Sequence, residues 1–316
     1  MRSGHVATTT ALRGSGAVPG SRHSCGRTGA CPVPPGYTVQ EWVVERECVA
    51  LARALGPDGR QVALKLACGP GPTVHTELLR HEHQVLQVLD GCPHTPPVHA
   101  FGTHDTRGSC GVFLATGWVP GIALADLYRQ AGGLLDQDTA LGADLFAETA
   151  TAVAEAFVSI HRHGVAHGDV SPRNILLTAT GDAALIDFES ARTPTAAPAG
   201  PARRTRTFCP PRPRTAGEGR GTGAGFSGAA AFAQYGVAAT LLWLLTGQAP
   251  QDHSATGGPD LSWAAARWPH LPAVFTTALA PGAGERFPST EAFARALADA
   301  LHQSPGPAPA GPTAPS

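Results

Sequence analysis

The chain has 316 residues, 42% of them hydrophobic and 15% charged, with a formal net charge of -1. That length is enough for one large or two modest domains with a real core. The near-neutral balance removes any global case for a nucleic-acid or membrane partner. The seven cysteines, at 25, 31, 48, 68, 92, 110 and 209, are scattered and odd in number. They fit neither a disulfide framework nor a paired zinc motif, so reduced thiols in a cytoplasmic protein are expected.

Residues 1–36 are rich in Gly, Ser, Thr and Pro, carry four Arg and no acid through position 35, and have no apolar signal core. They are expected to be disordered, with an Arg-rich transit peptide as the alternative that composition leaves open. His23 with Cys25 and Cys31 has poor spacing for a metal site. From 37 to about 68 the pattern is strand-like: YTVQEWVV, CVALARAL, a GPDG turn, then QVALKLA, which predicts antiparallel strands. HTELLRHEHQVLQVLDG (75–91) places Leu78, Leu79, Val85, Leu86, Val88 and Leu89 on a helical apolar face that stops at Gly91. PPVHAFGT and GVFLATGWV read as two more strands. After Gly121 the chain turns helical: ALADLYRQ, DTALGADLFAETATAVAEAFVSIHRHG, then helices near 229–246, 261–281 and 289–303. The run 228–246 approaches membrane length but contains Gln234 and Gly236, and reads as a buried core helix. SPGPAPAGPTAPS at 304–316 is a Pro-rich tail. The fold class is therefore α+β, a small antiparallel β-sheet lobe with one helix followed by a larger helical lobe.

Three short stretches carry chemistry. Transfer of a phosphoryl group needs a cation on the nucleotide phosphates, carboxylates to hold magnesium, and a carboxylate aimed at the attacking hydroxyl. VALK (62–65) ends a predicted strand: Lys65 is the candidate phosphate-binding cation, and Ala63 is small enough to lie against an adenine face. Its expected partner is Glu82 on the following helix. Glu77 is the alternative, but only twelve residues separate it from Lys65, tight for a Gly/Pro loop and a helix start. HGDVSPRN (167–174) supplies Asp169 as the hydroxyl-orienting base and Asn174 as a magnesium ligand. LIDFE (185–189) follows, with Asp187, eighteen residues after Asp169, as the second ligand. Asp, Pro and Asn are also ordinary turn residues, but the apolar runs flanking both motifs argue for a catalytic loop.

These motifs, in order and spacing, resemble a bacterial eukaryotic-type (Hanks-type) Ser/Thr protein kinase across 37–303. HGD-x-SP-x-N with DFE is most similar to the kinase domains of class III and IV lanthipeptide synthetases, whose lyase and cyclase domains have no counterpart in this sequence. The resemblance implies a bilobal fold: N-lobe 37–116, hinge 117–121, C-lobe 122–303, and a flexible activation segment 187–228. It implies ATP and Mg2+ as cofactors and a protein or precursor peptide as substrate. It also assigns Thr116 to the gatekeeper position, gives Gly117 and Val119 hinge contacts to adenine, and adds Leu176 to the nucleotide site. Arg286 would pair with Glu218 of an Ala-Gly-Glu segment.

The departures from that pattern are specific. WVVERECV (42–49) stands where a glycine-rich loop would cover the phosphates, and Glu45 and Glu47 should obstruct them. Gly168 replaces an arginine, which argues against control by activation-loop phosphorylation. Ser171 replaces a lysine, while Arg173 takes the position that tyrosine kinases use for the same charge, and is counted among the catalytic residues. Glu189 replaces a glycine, which should reduce flipping of the metal-binding loop, and Ala231 replaces a helix aspartate. The segment from 187 to 218 holds Arg192, Arg203, Arg204, Arg206, Arg212 and Arg214 beside Thr205 and Thr207. It is either a site for an acidic peptide or autophosphorylation, or a solvated loop. The leading expectation is an active protein or peptide kinase. The others are a pseudokinase scaffold and a small-molecule phosphotransferase of the antibiotic- or choline-kinase kind, which shares a similar HGD loop.

Overall fold

The computed structural model describes residues 32–46, 49–68, 73–105, 110–130, 140–195, 205–210, 226–250 and 261–302. They form two compact units. One holds the described residues up to Leu79 together with Val98–Trp118, and the other holds Arg80–Pro97 and the described residues from Val119 onward.

The first unit is built on an antiparallel five-stranded sheet: β1 (Thr38–Glu45), β2 (Val49–Leu55), β3 (Gln61–Ala67), β4 (Val98–Asp105) and β5 (Cys110–Gly117), in the order β1-β2-β3-β5-β4. The alternation in β2 and β3 sends Ala50, Ala54, Val62, Leu64 and Leu66 into one core with Cys68 and Ala115. The expected GPDG turn joins β2 to β3. Gly59 adopts φ +78, and the Gly56 N–H donates to the Arg60 carbonyl at 2.8 Å. β1 is less regular, with register shifts between Val39 and Glu41 and between Trp42 and Val44.

Helix α1 (Val74–Val88) crosses the boundary between the units after Leu79. Thr73 and Thr76 cap its start reciprocally, each backbone N–H donating to the other's hydroxyl (2.9 and 3.3 Å). Gly91, at φ +79, lies just beyond its end.

The second unit contains a small antiparallel sheet, β6 (Gly121–Ala123), β7 (Ile175–Thr178) and β8 (Ala183–Leu185). Around it the chain supplies α2 (Leu124–Gln130), α3 (Ala140–Arg162), α4 (Phe226–Thr246), α5 (Ser262–Arg267), α6 (Leu271–Ala278) and α7 (Thr290–His302). α3 buries Phe146, Ala150, Val153, Ala154, Phe157 and Ile160, spaced three and four apart, and packs on α7.

Among the described residues α4 is the one helix long and apolar enough to cross a membrane, yet 67% of that span is buried inside the protein. Gln234, midway along it, donates to the carbonyls of Phe287 and Ser289 at 3.3 Å each. α4 is a core helix, and the adjoining loop accepts the amide protons of its buried Gln234.

The single helix expected over 261–281 is instead two. Pro269 disfavours helical backbone at Trp268 (φ −130, ψ 84), and the chain restarts at α6 with a proline in its first turn.

Candidate active site

On β3, Ala63 lies directly across from Thr116 of β5, and Val62 lies across from Gly117. Lys65 is two residues beyond Ala63 and so projects from the same face, which also carries Leu114 opposite it. The first unit therefore gathers Ala63, Lys65, Thr116 and Gly117 at one end of two paired strands. Trp118 continues this end, its N–H donating to the Gln61 carbonyl at 3.1 Å and its ring lying 5.3 Å from the Arg53 guanidinium. The expected phosphate-covering stretch is the β1–β2 hairpin. Glu45 is the last residue of β1, exposed and paired with Ala50, and the Arg46 N–H closes onto the Val49 carbonyl at 2.9 Å. Glu47 lies outside the described residues.

In the second unit the octapeptide 167–174 forms an irregular loop between α3 and β7. Asn174 donates its Nδ2 to the Asp169 carbonyl (3.0 Å) and to Asp169 Oδ2 (3.3 Å), so the base and the ligand are joined. The Asn174 Oδ1 remains as an oxygen donor for a cation. His167 orders both sides of the site. Its Nδ1 accepts from the Asp169 N–H (3.4 Å), its Nε2 donates to the Ile186 carbonyl (2.9 Å), and its ring packs at a tilt against Phe188, centroids 4.7 Å apart. The Ile186 N–H in turn donates to the Asn174 carbonyl at 3.0 Å. The residue before Asp187 is thus fastened to the catalytic loop by both its backbone groups.

Asp187 follows two residues after β8, with φ +69, the one non-glycine in the left-handed region among the described residues. Strain of this kind persists where the surroundings over-determine it, and it gathers at functional sites. Here the Phe188 N–H donates to Glu82 Oε1 at 3.1 Å. Glu82 is 2% exposed on the second half of α1, whereas Glu77 is exposed on its first turn. Carboxylate oxygens of Glu82, Asp187 and Glu189 all lie within 4.8 Å of one another. The three make an all-oxygen donor set, the chemistry that Mg2+ takes rather than a softer metal.

Gly168 has φ +82, and a Cβ there would stand 1.9 Å from the Ser190 carbonyl oxygen. Its replacement of an arginine therefore has a packing reason. Arg173 is exposed, Leu176 is half-buried on β7 between Ala123 and Ala184, and Val119 is half-buried.

Several site features were not anticipated. The Thr205 N–H donates to Asp169 Oδ1 at 2.6 Å, and Phe208, in the turn that follows, packs edge-on against Trp243 beside Tyr235. His81 and His167 also belong to the site, and the "HEH" run and the histidine opening "HGD" are their signals in the sequence. Arg286, 7% exposed, donates to the carbonyls of Ala280 (2.8 Å), Ala231 (2.9 Å) and Pro281 (3.0 Å), and stacks over Tyr235 at 5.1 Å. Burial lowers its pKa, with the neighbouring Tyr235 opposing the shift. Its expected partner Glu218, like Arg203, Arg204, Arg212 and Arg214, lies outside the described residues.

A strand-bound lysine, a buried helix glutamate, a hydrogen-bonded Asp–Asn loop and a strained aspartate after a strand are the parts of a phosphotransferase. The family model for the protein kinase domain matches residues 54–255, more than half of the chain, and the chain belongs to that family. Its relatives include the serine/threonine-protein kinase PknA of Corynebacterium glutamicum, 30% identical over 148 residues, 44% of this chain and 29% of that protein. PknH of Mycobacterium bovis is 27% identical over 152 residues (48% and 21%), and the casein kinase 1-like protein HD16 of rice is 30% identical over 129 residues (39% and 16%). The matched stretch spans less than a third of each of these relatives.

Proposed function

We propose that this chain is a cytoplasmic, Mg-ATP-dependent phosphotransferase acting on Ser/Thr hydroxyls of a protein or ribosomal precursor peptide. The observation that carries the reading is the fastening of Asp169, Asn174 and Ile186–Asp187 into one hydrogen-bonded unit. In it Asp169 orients the acceptor hydroxyl and takes its proton. Lys65 and Arg173 supply positive charge for the phosphates, and Ala63, Thr116, Gly117, Val119 and Leu176 hold the base. Asn174 and Asp187, with Glu189 beside them, would hold Mg2+, which when bound neutralises charge on the phosphate oxygens. The HGD-x-SP-x-N and DFE motifs favour a peptide acceptor of the lanthipeptide-precursor kind.

A scaffold reading has one observation of its own. The Thr205 amide occupies Asp169 Oδ1, the atom an acceptor hydroxyl would use. An acceptor panel separates the readings, offering Ser/Thr peptides, an aminoglycoside and choline with labelled ATP. Phosphoserine or phosphothreonine is expected; label confined to a small molecule would move the assignment to that class, and label in none of them would favour the scaffold.

A further inference from the structure

We propose that His81 is a positioning residue for the metal-binding loop, holding Asp187 in place by donating its Nε2 proton to the Ala191 carbonyl. This rests on the phosphotransferase reading above. Phe188 to Ala191 form a turn closed by the Ala191 N–H on the Phe188 carbonyl at 3.0 Å. Two consecutive residues of α1 straddle it. Glu82 accepts the Phe188 N–H at one end (3.1 Å), and His81 Nε2 meets the Ala191 carbonyl at the other (2.7 Å). A carbonyl oxygen only accepts, so Nε2 carries the proton.

Both ends of the contact are dry: His81 is 6% exposed and Ala191 0%. At that burial, removing the imidazole leaves the Ala191 carbonyl without its partner. The turn begins one residue after Asp187, whose φ of +69 is held only while its surroundings hold it. The next residue, Arg192, is bridged to Ala166 in both directions at 2.8 Å, just ahead of the catalytic loop. His81 thus fixes the far end of the segment that presents Asp187. Glu82 holds the near end of the same turn, so two consecutive residues of α1 clamp it between them.

The test compares His81→Gln, whose amide nitrogen sits where Nε2 does, with His81→Asn, whose amide stops at the reach of Nδ1. Phosphate transfer is measured against Mg2+ and ATP concentration. The Asn variant is expected to need about tenfold more Mg2+ and to lose about tenfold in kcat with the KM for ATP little changed, as for residues that orient metal ligands, and the Gln variant to restore both. Equal Mg2+ dependence in the parent and both variants would overturn the proposal. A parent that transfers no phosphate would defeat the functional reading instead. In that case, or if a variant does not fold, the ring 15N shifts of His81 in the parent decide: a proton on Nε2 is expected, and one on Nδ1 alone overturns the contact.

Discussion

The β1–β2 hairpin and the loop from Ile186 to Arg192 both lack a glycine that the family uses, and they differ in what replaces it. In the loop, Glu189 does not need a left-handed backbone, because that conformation falls on Asp187, and His167, Glu82 and His81 each take a backbone group of the segment. In the hairpin, Glu45 simply ends an edge strand with two register shifts, exposed. A glycine can be lost where side chains fasten the backbone. Where the backbone itself must meet phosphate oxygens, its loss leaves only obstruction. On this account the loop is fastened for catalysis, and the hairpin is expected to obstruct the phosphates.

The comparison is sharpened first at the fastened side. Asp169→Asn is expected to lower kcat by a factor on the order of 10²–10⁴ with nucleotide binding kept, as for loss of a positioned base. Steady-state transfer rates check it. Gly168→Ala should destabilise the protein by at least about 2 kcal/mol, through left-handed strain and the clash on Ser190. Glu189→Gly should be nearly neutral, and denaturant melts of the two variants test the contrast. Arg286→Met should cost about 2–4 kcal/mol, because the carbonyls of Ala280, Ala231 and Pro281 lose a charged donor together.

A pH effect of similar size comes from His161. Burial first, and His167 besides, lower its pKa to about 4, against the pull of Glu291. The unfolded ring takes its proton near the usual 6.5, so the unfolded state binds more protons between the two values. Stability should therefore fall by about 3 kcal/mol as pH drops from 7 to 4, and His161→Gln should flatten that slope. Thermal melts across this range measure it. The smallest effect belongs to the lid: Glu45→Gly with Glu47→Gly should tighten ATP binding about three- to fivefold, read by calorimetry. An unchanged affinity would mean that the hairpin does not cover the phosphates.

Much of this was legible because local pattern and local structure agree. Alternation in VALARAL and QVALKLA gave two strands with the GPDG turn between them, and the apolar positions of 75–91 gave α1, except that Val88, expected on its apolar face, is exposed. Spacing, with Leu86 one turn later, favoured Glu82 over Glu77, and Glu82 is the buried one of the two. What stayed hidden depends on contacts distant in sequence. Nothing near Gly168 announces that Ser190 lies against it. His81 reads as one more polar helix residue until its carbonyl, 110 residues away, is in place. Pro269 was visible, but the apolar run on both sides of it outweighed the break it imposes.

The central claim is that the fastened loop supports phosphoryl transfer despite the glycine-free hairpin. Its most direct test is incorporation of labelled γ-phosphate from Mg-ATP by the purified chain, into itself and into a generic Ser/Thr acceptor, beside Asp169→Asn. The account predicts incorporation that disappears in the variant. Absence of incorporation in both, together with undetectable nucleotide binding, would contradict it.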